Sequence, residues 1–178
     1  MEREKESAPN PKSEPKPMKN PTTVERNSER ELVVTRTFNG PAHIVFEAWS
    51  KPELLKQWWV PASFGMSFVS CEADVRTGGT YRFVFSHPDF EQPMAFFGTY
   101  TEVTPNSRIV WTNDESADGP ISTVTFEEKD GKTLLVLREL YPSREALDEA
   151  IASGSTGTSG AGEQFELLDE LLVTLMRS

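Results

Sequence analysis

Towards its C-terminal end the chain reads Gly162-Glu-Gln-Phe-Glu-Leu-Leu-Asp-Glu-Leu-Leu172, in which apolar side chains recur every three or four residues. This spacing places them on one face of a helix and predicts a final helix over residues 163–176. A helix with one apolar face needs an apolar partner to cover that face. The residues before it read mainly as strands, so we expect a sheet to pack against this helix.

The predicted strands rest on apolar side chains that alternate with polar ones, a period of two that is typical of strands. Such alternation predicts seven strands, at residues 31–38, 66–75, 80–86, 94–103, 108–113, 121–128 and 133–141. Asp130-Gly131 has the sequence of a two-residue hairpin turn. Gly98 lies inside a strand, where a glycine indicates a bulge or the close approach of another group.

Two short helices are predicted directly after the first strand. Pro41 suits the first position of a helix, and apolar residues follow at helical spacing up to Trp49. Ser50-Lys-Pro-Glu53 resembles a capping box and begins a second helix that ends before Pro61. A further helix is predicted over 144–152, and a link rich in glycine, serine and threonine follows it over 154–162.

Composition divides the 178 residues into two parts. Residues 1–30 hold many charged side chains, five of the 13 prolines and few apolar residues, so they are predicted to form a disordered tail. Residues 31–178 are predicted to form one folded domain. With 11 basic and 22 acidic side chains, this domain carries a net charge of −11, against −10 for the whole chain. A domain of that sign repels phosphate groups, so neither nucleic acid nor an anionic membrane is expected as a partner.

A cytoplasmic location is expected. The sequence has no apolar run long enough to span a membrane, and its charged N-terminal segment lacks the apolar stretch of a signal peptide. The single cysteine, Cys71, has no second cysteine with which to form an internal disulfide, which fits a reducing compartment.

The sequence carries none of the motifs that mark common catalytic or metal chemistry. It has two histidines, and it has no phosphate-binding loop, dinucleotide fingerprint or His-Glu-x-x-His motif. We therefore expect no cofactor, no metal site and no defined catalysis. Glu102, Arg138 and Glu139 are charges within apolar strands, and any of them that faced inward would need a partner and would serve as the polar group of a ligand site.

Aromatic side chains carry the binding-site prediction. On neighbouring predicted strands they share one face, so together with residues of the helices they could line a cavity between the sheet and the final helix. The predicted ligand-binding residues are Trp58, Trp59, Phe64, Tyr81, Phe83, Phe85, Met94, Phe96, Tyr100, Trp111, Phe165 and Leu168. The alternative is that these side chains fill the core completely.

Six segments, in chain order, carry a resemblance to a known family. They are Thr35–Pro41, Pro52–Trp59, Ala73–Gly79, Gly98–Val103, Tyr141–Ser143 and Gly162–Leu172. Through them the domain resembles the C-terminal domain of the Hsp90 ATPase activator and its small bacterial relatives (AHSA1-like), within the START-like superfamily, also called SRPBCC, Bet v 1-like or helix-grip. The resemblance implies an α+β fold in which a seven-stranded curved antiparallel sheet surrounds a long C-terminal helix, with two short helices after the first strand.

The resemblance leaves three functions open. The first is binding of a small hydrophobic or aromatic molecule between the sheet and the C-terminal helix. The second is an Hsp90-type role in which a chaperone or another protein is the partner. The third is a polyketide cyclase or aromatase activity, for which Tyr100, Arg138 and Glu139 are the candidate residues. The chain is expected to act as a monomer or a homodimer.

Overall fold

The computed structural model describes residues 21–177 except 116, 118, 155, 157 and 159. In that part of the chain, eight strands form one open antiparallel sheet. The strands are β1 (Thr23–Arg26), β2 (Glu31–Phe38), β3 (Ser67–Ala73), β4 (Thr80–Ser86), β5 (Met94–Thr104), β6 (Arg108–Thr112), β7 (Ile121–Lys129) and β8 (Lys132–Leu140). Their order across the sheet is β1-β2-β8-β7-β6-β5-β4-β3.

Four α-helices and one 3-10 helix accompany the described part of the sheet. They are α1 (Ala42–Ser50), α2 (Pro52–Trp58), the 3-10 helix Ala62–Phe64, α3 (Arg144–Ser153) and α4 (Ala161–Met176). The predicted α+β architecture is confirmed, including the two short helices after the strand Glu31–Phe38 and the long helix after the sheet. Helix α4 begins two residues before the predicted position.

The prediction of a disordered tail is wrong for residues 23–26, which form the edge strand β1. The sheet therefore has eight strands where seven were predicted. Strand β1 pairs antiparallel with β2, with Val24 opposite Val34. All four of its side chains are exposed, so backbone hydrogen bonds rather than apolar burial hold it in place. The ion pair between Arg26 and Asp148, at 2.7 Å, adds a contact to α3. Residues 1–20 lie outside the described residues.

The main core lies between the sheet and helices α1, α2 and α4. The apolar face of α4 buries Phe165, Leu168 and Leu172 almost completely. The ring of Phe165 meets that of Phe38 on β2, with centroids 5.6 Å apart, in an edge-to-face arrangement. The predicted packing of the final helix on the sheet is therefore confirmed.

An ion pair also joins α4 to the sheet. Arg36 lies on the core-facing side of β2 and is 2% exposed, and its guanidinium forms a salt bridge with Asp169 of α4. Its Nη1 donates a hydrogen bond to Thr22 Oγ1 at 2.9 Å, just before β1. The arginine thus connects the segment before the first strand, the sheet and the last helix.

Candidate functional site

An open pocket of about 410 Å³ lies beside the core, between strands β4 to β6 and the segment that follows α2. We call it the aromatic pocket. Strand β4 contributes side chains from its buried face, and Gly154 and Thr156, which precede α4, form part of the rim. The lining residues are Trp59, Val60, Pro61, Phe64, Met66, Tyr81, Phe83, Phe85, Met94, Phe96, Trp111, Asn113, Gly154, Thr156 and Gln164.

Period-two alternation builds one wall of the aromatic pocket. Tyr81, Phe83 and Phe85 are the buried positions of β4, and their neighbours along the strand point to the other face. Phe85 contacts Phe96 of β5, with ring centroids 5.7 Å apart. From the opposite side, Trp59 meets Phe83 edge to face at 5.5 Å. The result is a nearly continuous aromatic surface.

A second, smaller cavity lies next to the aromatic pocket. Its volume is about 20 Å³, which is room for one water-sized group. Four of its lining residues, Trp59, Tyr81, Phe83 and Trp111, also line the aromatic pocket, so the two spaces adjoin at these rings. The remaining lining residues are Trp49, Leu55, Tyr100 and Ile109.

The structure brings most of the predicted site residues together. Those that line the aromatic pocket are Trp59, Phe64, Tyr81, Phe83, Phe85, Met94, Phe96 and Trp111. Tyr100 lines the smaller cavity instead. Trp58, Phe165 and Leu168 are fully buried in the core and line neither space, because they fill the volume beneath α4. The open space therefore lies near the first turn of α4, which contributes Gln164, rather than along the length of the helix.

The polar groups of the aromatic pocket are neutral and bonded to the protein. Gln164 Nε2 donates to the carbonyl oxygen of Trp59 at 2.6 Å, and the Tyr81 hydroxyl donates to that of Thr112 at 2.9 Å. Asn113 Nδ2 donates to the carbonyl oxygen of Pro120 at 2.8 Å. Burial raises the pKa of the Tyr81 hydroxyl well above its usual value, so the phenol stays protonated. No charged side chain stands among the described lining residues, and such a wall favours an uncharged ligand.

A pair of hydrogen bonds fixes the rim of the pocket to α4. The backbone N–H of Ser63 donates to Glu163 Oε2 at 3.0 Å, and its hydroxyl donates to Oε1 at 2.6 Å. These bonds lower the pKa of Glu163. Gly160 adopts φ 77°, and a Cβ there would lie 2.9 Å from the ring of Phe64. Sequence reasoning missed Glu163 and Gly160, because neither residue differs in type from ordinary helix-start and link residues.

The charged residues considered for catalysis are not brought together. Arg138 is exposed on the outer face and lies 3.4 Å from Glu31, whereas Glu139 is buried 3.5 Å from the hydroxyl of Tyr141. Glu102 is exposed and pairs with Arg108 at 3.2 Å. Neither Arg138 nor Glu139 lines the aromatic pocket or the smaller cavity. Of the three residues considered for cyclase activity, only Tyr100 lines one of these spaces, the smaller cavity.

Three further features of the described residues bear on chemistry and location. In that part of the chain, no group of three or more His, Cys, Asp or Glu side chains is arranged to hold a metal ion. None of the described helices has the length and apolar character needed to span a membrane. Cys71 is a half-buried free thiol whose pKa is raised to about 11 by burial, which keeps it protonated and unreactive near neutral pH.

Several solved structures share this fold. A protein from Rhodobacter sphaeroides is 23% identical with a TM-score of 0.75, covering 86% of this chain and 99% of that one. Protein Ms6760 from Mycobacterium smegmatis is 24% identical with a TM-score of 0.72, covering 87% and 99%. An AHSA1-like protein from Aeromonas hydrophila is 17% identical with a TM-score of 0.57, covering 79% and 94%. The fold is therefore that of the START-like, helix-grip class, as predicted.

The family follows from the sequence itself. The family model described as "Activator of Hsp90 ATPase homolog 1-like protein" matches residues 39–173. The chain belongs to this family, and the resemblance inferred from the six segments is confirmed. No curated protein matches the sequence.

Proposed function

We propose that this protein binds a small, uncharged, hydrophobic or aromatic molecule in the aromatic pocket, without defined catalysis and without a cofactor. The observation that supports this most directly is an open space of about 410 Å³ walled by aromatic and apolar side chains. Ligand pockets in proteins typically measure about 300–1,000 Å³ and combine apolar walls with a few polar groups. Cys71 is the only cysteine of the chain and is a free thiol, which favours a reducing compartment and so supports a cytoplasmic location for this binding.

Apolar burial alone supplies enough free energy for such binding. At about 25 cal/mol per Å², a ligand that buries about 400 Å² of apolar surface gains about 10 kcal/mol. Loss of overall motion offsets part of this gain, so we expect dissociation constants in the micromolar to millimolar range. No ionic contact is required.

The test uses the neutral fluorescent probe N-phenyl-1-naphthylamine, whose emission rises in an apolar site. We expect saturable binding to the wild-type protein. Phe96→Ala removes a ring from the pocket wall and should raise Kd roughly tenfold, since about 1.4 kcal/mol of apolar contact is lost. Phe97→Ala is the matched control, because Phe97 is the next residue on β5, points to the other face and is 38% exposed.

The proposal would be refuted if the probe failed to bind, or if Phe96→Ala and Phe97→Ala changed Kd equally. Equal effects would indicate binding to the outer surface of the sheet. A rise in thermal stability with added probe provides an independent readout, because a ligand that binds only the folded state stabilises it.

The family match supports a second candidate, an Hsp90-type role in which a chaperone is the partner. The two candidates make different predictions for the same variant. If the protein acts on a chaperone through its surface, its effect on Hsp90 ATPase activity should survive Phe96→Ala. If addition of this protein leaves the ATPase rate unchanged, the chaperone role is excluded for that partner.

A further inference from the structure

Trp49, which lines the small cavity, carries a buried hydrogen-bond donor that has no partner among the described residues. Trp49 is 4% exposed, yet none of the described residues accepts a hydrogen bond from its indole Nε1. Its neighbour Trp58 is also buried, and there Nε1 donates to the carbonyl oxygen of Ala48 at 3.0 Å. Leaving a buried donor unpaired loses free energy comparable to that of a hydrogen bond, so an acceptor at this position would be stabilising.

The unpaired donor belongs to a residue that lines the 20 Å³ cavity, which has room for one oxygen-sized group. The rings of Trp59 and Trp111 line both this cavity and the aromatic pocket, and their centroids lie 5.8 Å and 6.0 Å from that of Trp49. A group that projects from a ligand in the aromatic pocket past these rings would enter the cavity that Trp49 lines.

The charge of the surroundings restricts what that group can be. The residues around the small cavity are all uncharged, and the Tyr81 hydroxyl already donates to Thr112. Burial also raises the pKa of Tyr100, so this phenol stays neutral. A carboxylate here would have no opposite charge to offset its desolvation, whereas a carbonyl oxygen needs only a donor.

We infer that the ligand is a flat aromatic ketone or quinone whose carbonyl oxygen accepts a hydrogen bond from the indole N–H of Trp49. This inference rests on the proposed function, because it names the ligand class for the same pocket. The aromatic part of the ligand packs against Phe83, Phe85 and Phe96, and the carbonyl points towards the small cavity.

The experiment compares two probes that differ in one atom group. They are 2-acetylnaphthalene and 2-isopropenylnaphthalene, in which a C=CH₂ group replaces the C=O group at nearly the same shape. We expect the ketone to bind the wild-type protein about tenfold more tightly, the value of one hydrogen bond to a donor that is otherwise unpaired. The anion 2-naphthoate should bind more weakly than the alkene at pH 7.

Two variants assign the effect to the donor. Trp49→Phe removes the unpaired N–H, so the preference for the ketone should fall below threefold. Trp58→Phe removes an indole N–H that is already bonded within the same core, so the tenfold preference should remain. In nuclear magnetic resonance spectra, the indole N–H signal that Trp49→Phe abolishes should shift downfield with the ketone and stay in place with the alkene.

The possible outcomes separate the two proposals. If both probes bind wild type equally, or if the preference persists in Trp49→Phe, the assignment of the carbonyl to Trp49 is wrong and the binding function stands. If neither probe binds, the proposed function itself fails for bicyclic aromatic ligands. If 2-naphthoate binds most tightly, a cationic group supplies the polar contact and the inference is overturned.

Discussion

At the scale of single residues, the tryptophans that pack together have different structural roles. Trp58 and Trp59 are adjacent in sequence, but Trp58 is the last residue of α2 and is fully buried, whereas Trp59 follows the helix and lines the aromatic pocket. Trp58 also provides a hydrogen-bond donor for a carbonyl oxygen near the C-terminal end of α1. The carbonyl oxygen of Ala48 would meet the N–H of residue 52 in a continued helix, but that residue is Pro52, and the indole N–H of Trp58 takes its place.

This difference predicts unequal effects on stability. Trp49→Phe and Trp58→Phe remove similar volumes from the same cluster, but only Trp58→Phe also leaves a buried carbonyl without its donor. We expect Trp58→Phe to lower the free energy of unfolding by about 1–2 kcal/mol more than Trp49→Phe. Urea denaturation followed by circular dichroism measures both values, and equal losses would contradict the assignment of the Ala48 contact.

At the scale of elements, one glycine of β5 allows a ring of β4 and the backbone of β6 to approach closely. Gly98 of β5 is paired with Tyr81 of β4. A Cβ on Gly98 would lie 2.8 Å from the Tyr81 ring and would overlap the carbonyl oxygen of Thr112. The predicted close approach at Gly98 is therefore confirmed, and it sets the position of a ring that lines both spaces of the site.

We predict that Gly98→Ala destabilises the protein by about 2 kcal/mol or more, since the backbone of β6 must move to admit a methyl group. Gly162→Ala is the matched control. Nothing lies within 4 Å of a Cβ at Gly162, and alanine favours a helix over glycine by up to about 1 kcal/mol, so this change should be neutral or stabilising. Thermal denaturation of the two variants measures the contrast, and an innocuous Gly98→Ala would refute the packing argument.

The rim contact between Ser63 and α4 should depend on pH. The pKa of Glu163 is lowered by its hydrogen bonds from Ser63. Its contribution to stability is therefore fully present above the ordinary value of 4.5 and is lost as the pH falls through the lower folded-state value. The amide proton shift of Ser63 should report this transition below pH 4.5, and Glu163→Gln should abolish it. A transition at or above 4.5 would contradict the contact.

At the same scale, the alternation of residues within β4 is enough to predict this strand and its buried face, since Tyr81, Phe83 and Phe85 alternate with polar or smaller residues. The same reasoning fails for β1, whose four side chains are all exposed and whose pairing rests on the backbone. Which rings enclose space depends on helix rotation and on where α2 ends. For that reason the sequence predicted both Trp58 and Trp59 at the site, although only Trp59 lines it.

At the scale of the whole molecule, the sheet and the terminal helix meet through both apolar and ionic contacts. The ring of Phe165 packs on Phe38, and the neighbouring residue pair Arg36 and Asp169 bridges the same two elements. The guanidinium of Arg36 also lies 5.4 Å from the centroid of the Phe38 ring. Alternation marks Arg36 as a residue of the apolar face of β2, but only the fold reveals that its partner is about 130 residues away, on α4.

The ionic contact predicts a non-additive pair of substitutions. Asp169→Leu would leave the cation of Arg36 buried at 2% exposure without its carboxylate, and removal of one partner of a buried pair typically lowers stability by about 3–5 kcal/mol. Arg36→Met in the same chain removes that charge and restores apolar packing, so the double variant should be more stable than Asp169→Leu alone. Urea unfolding of the single and double variants completes the thermodynamic cycle. If Arg36→Met lowered the free energy of unfolding as much in the Asp169→Leu variant as in the wild type, the two residues would not be coupled. In that case this ion pair would contribute nothing to holding α4 on the sheet.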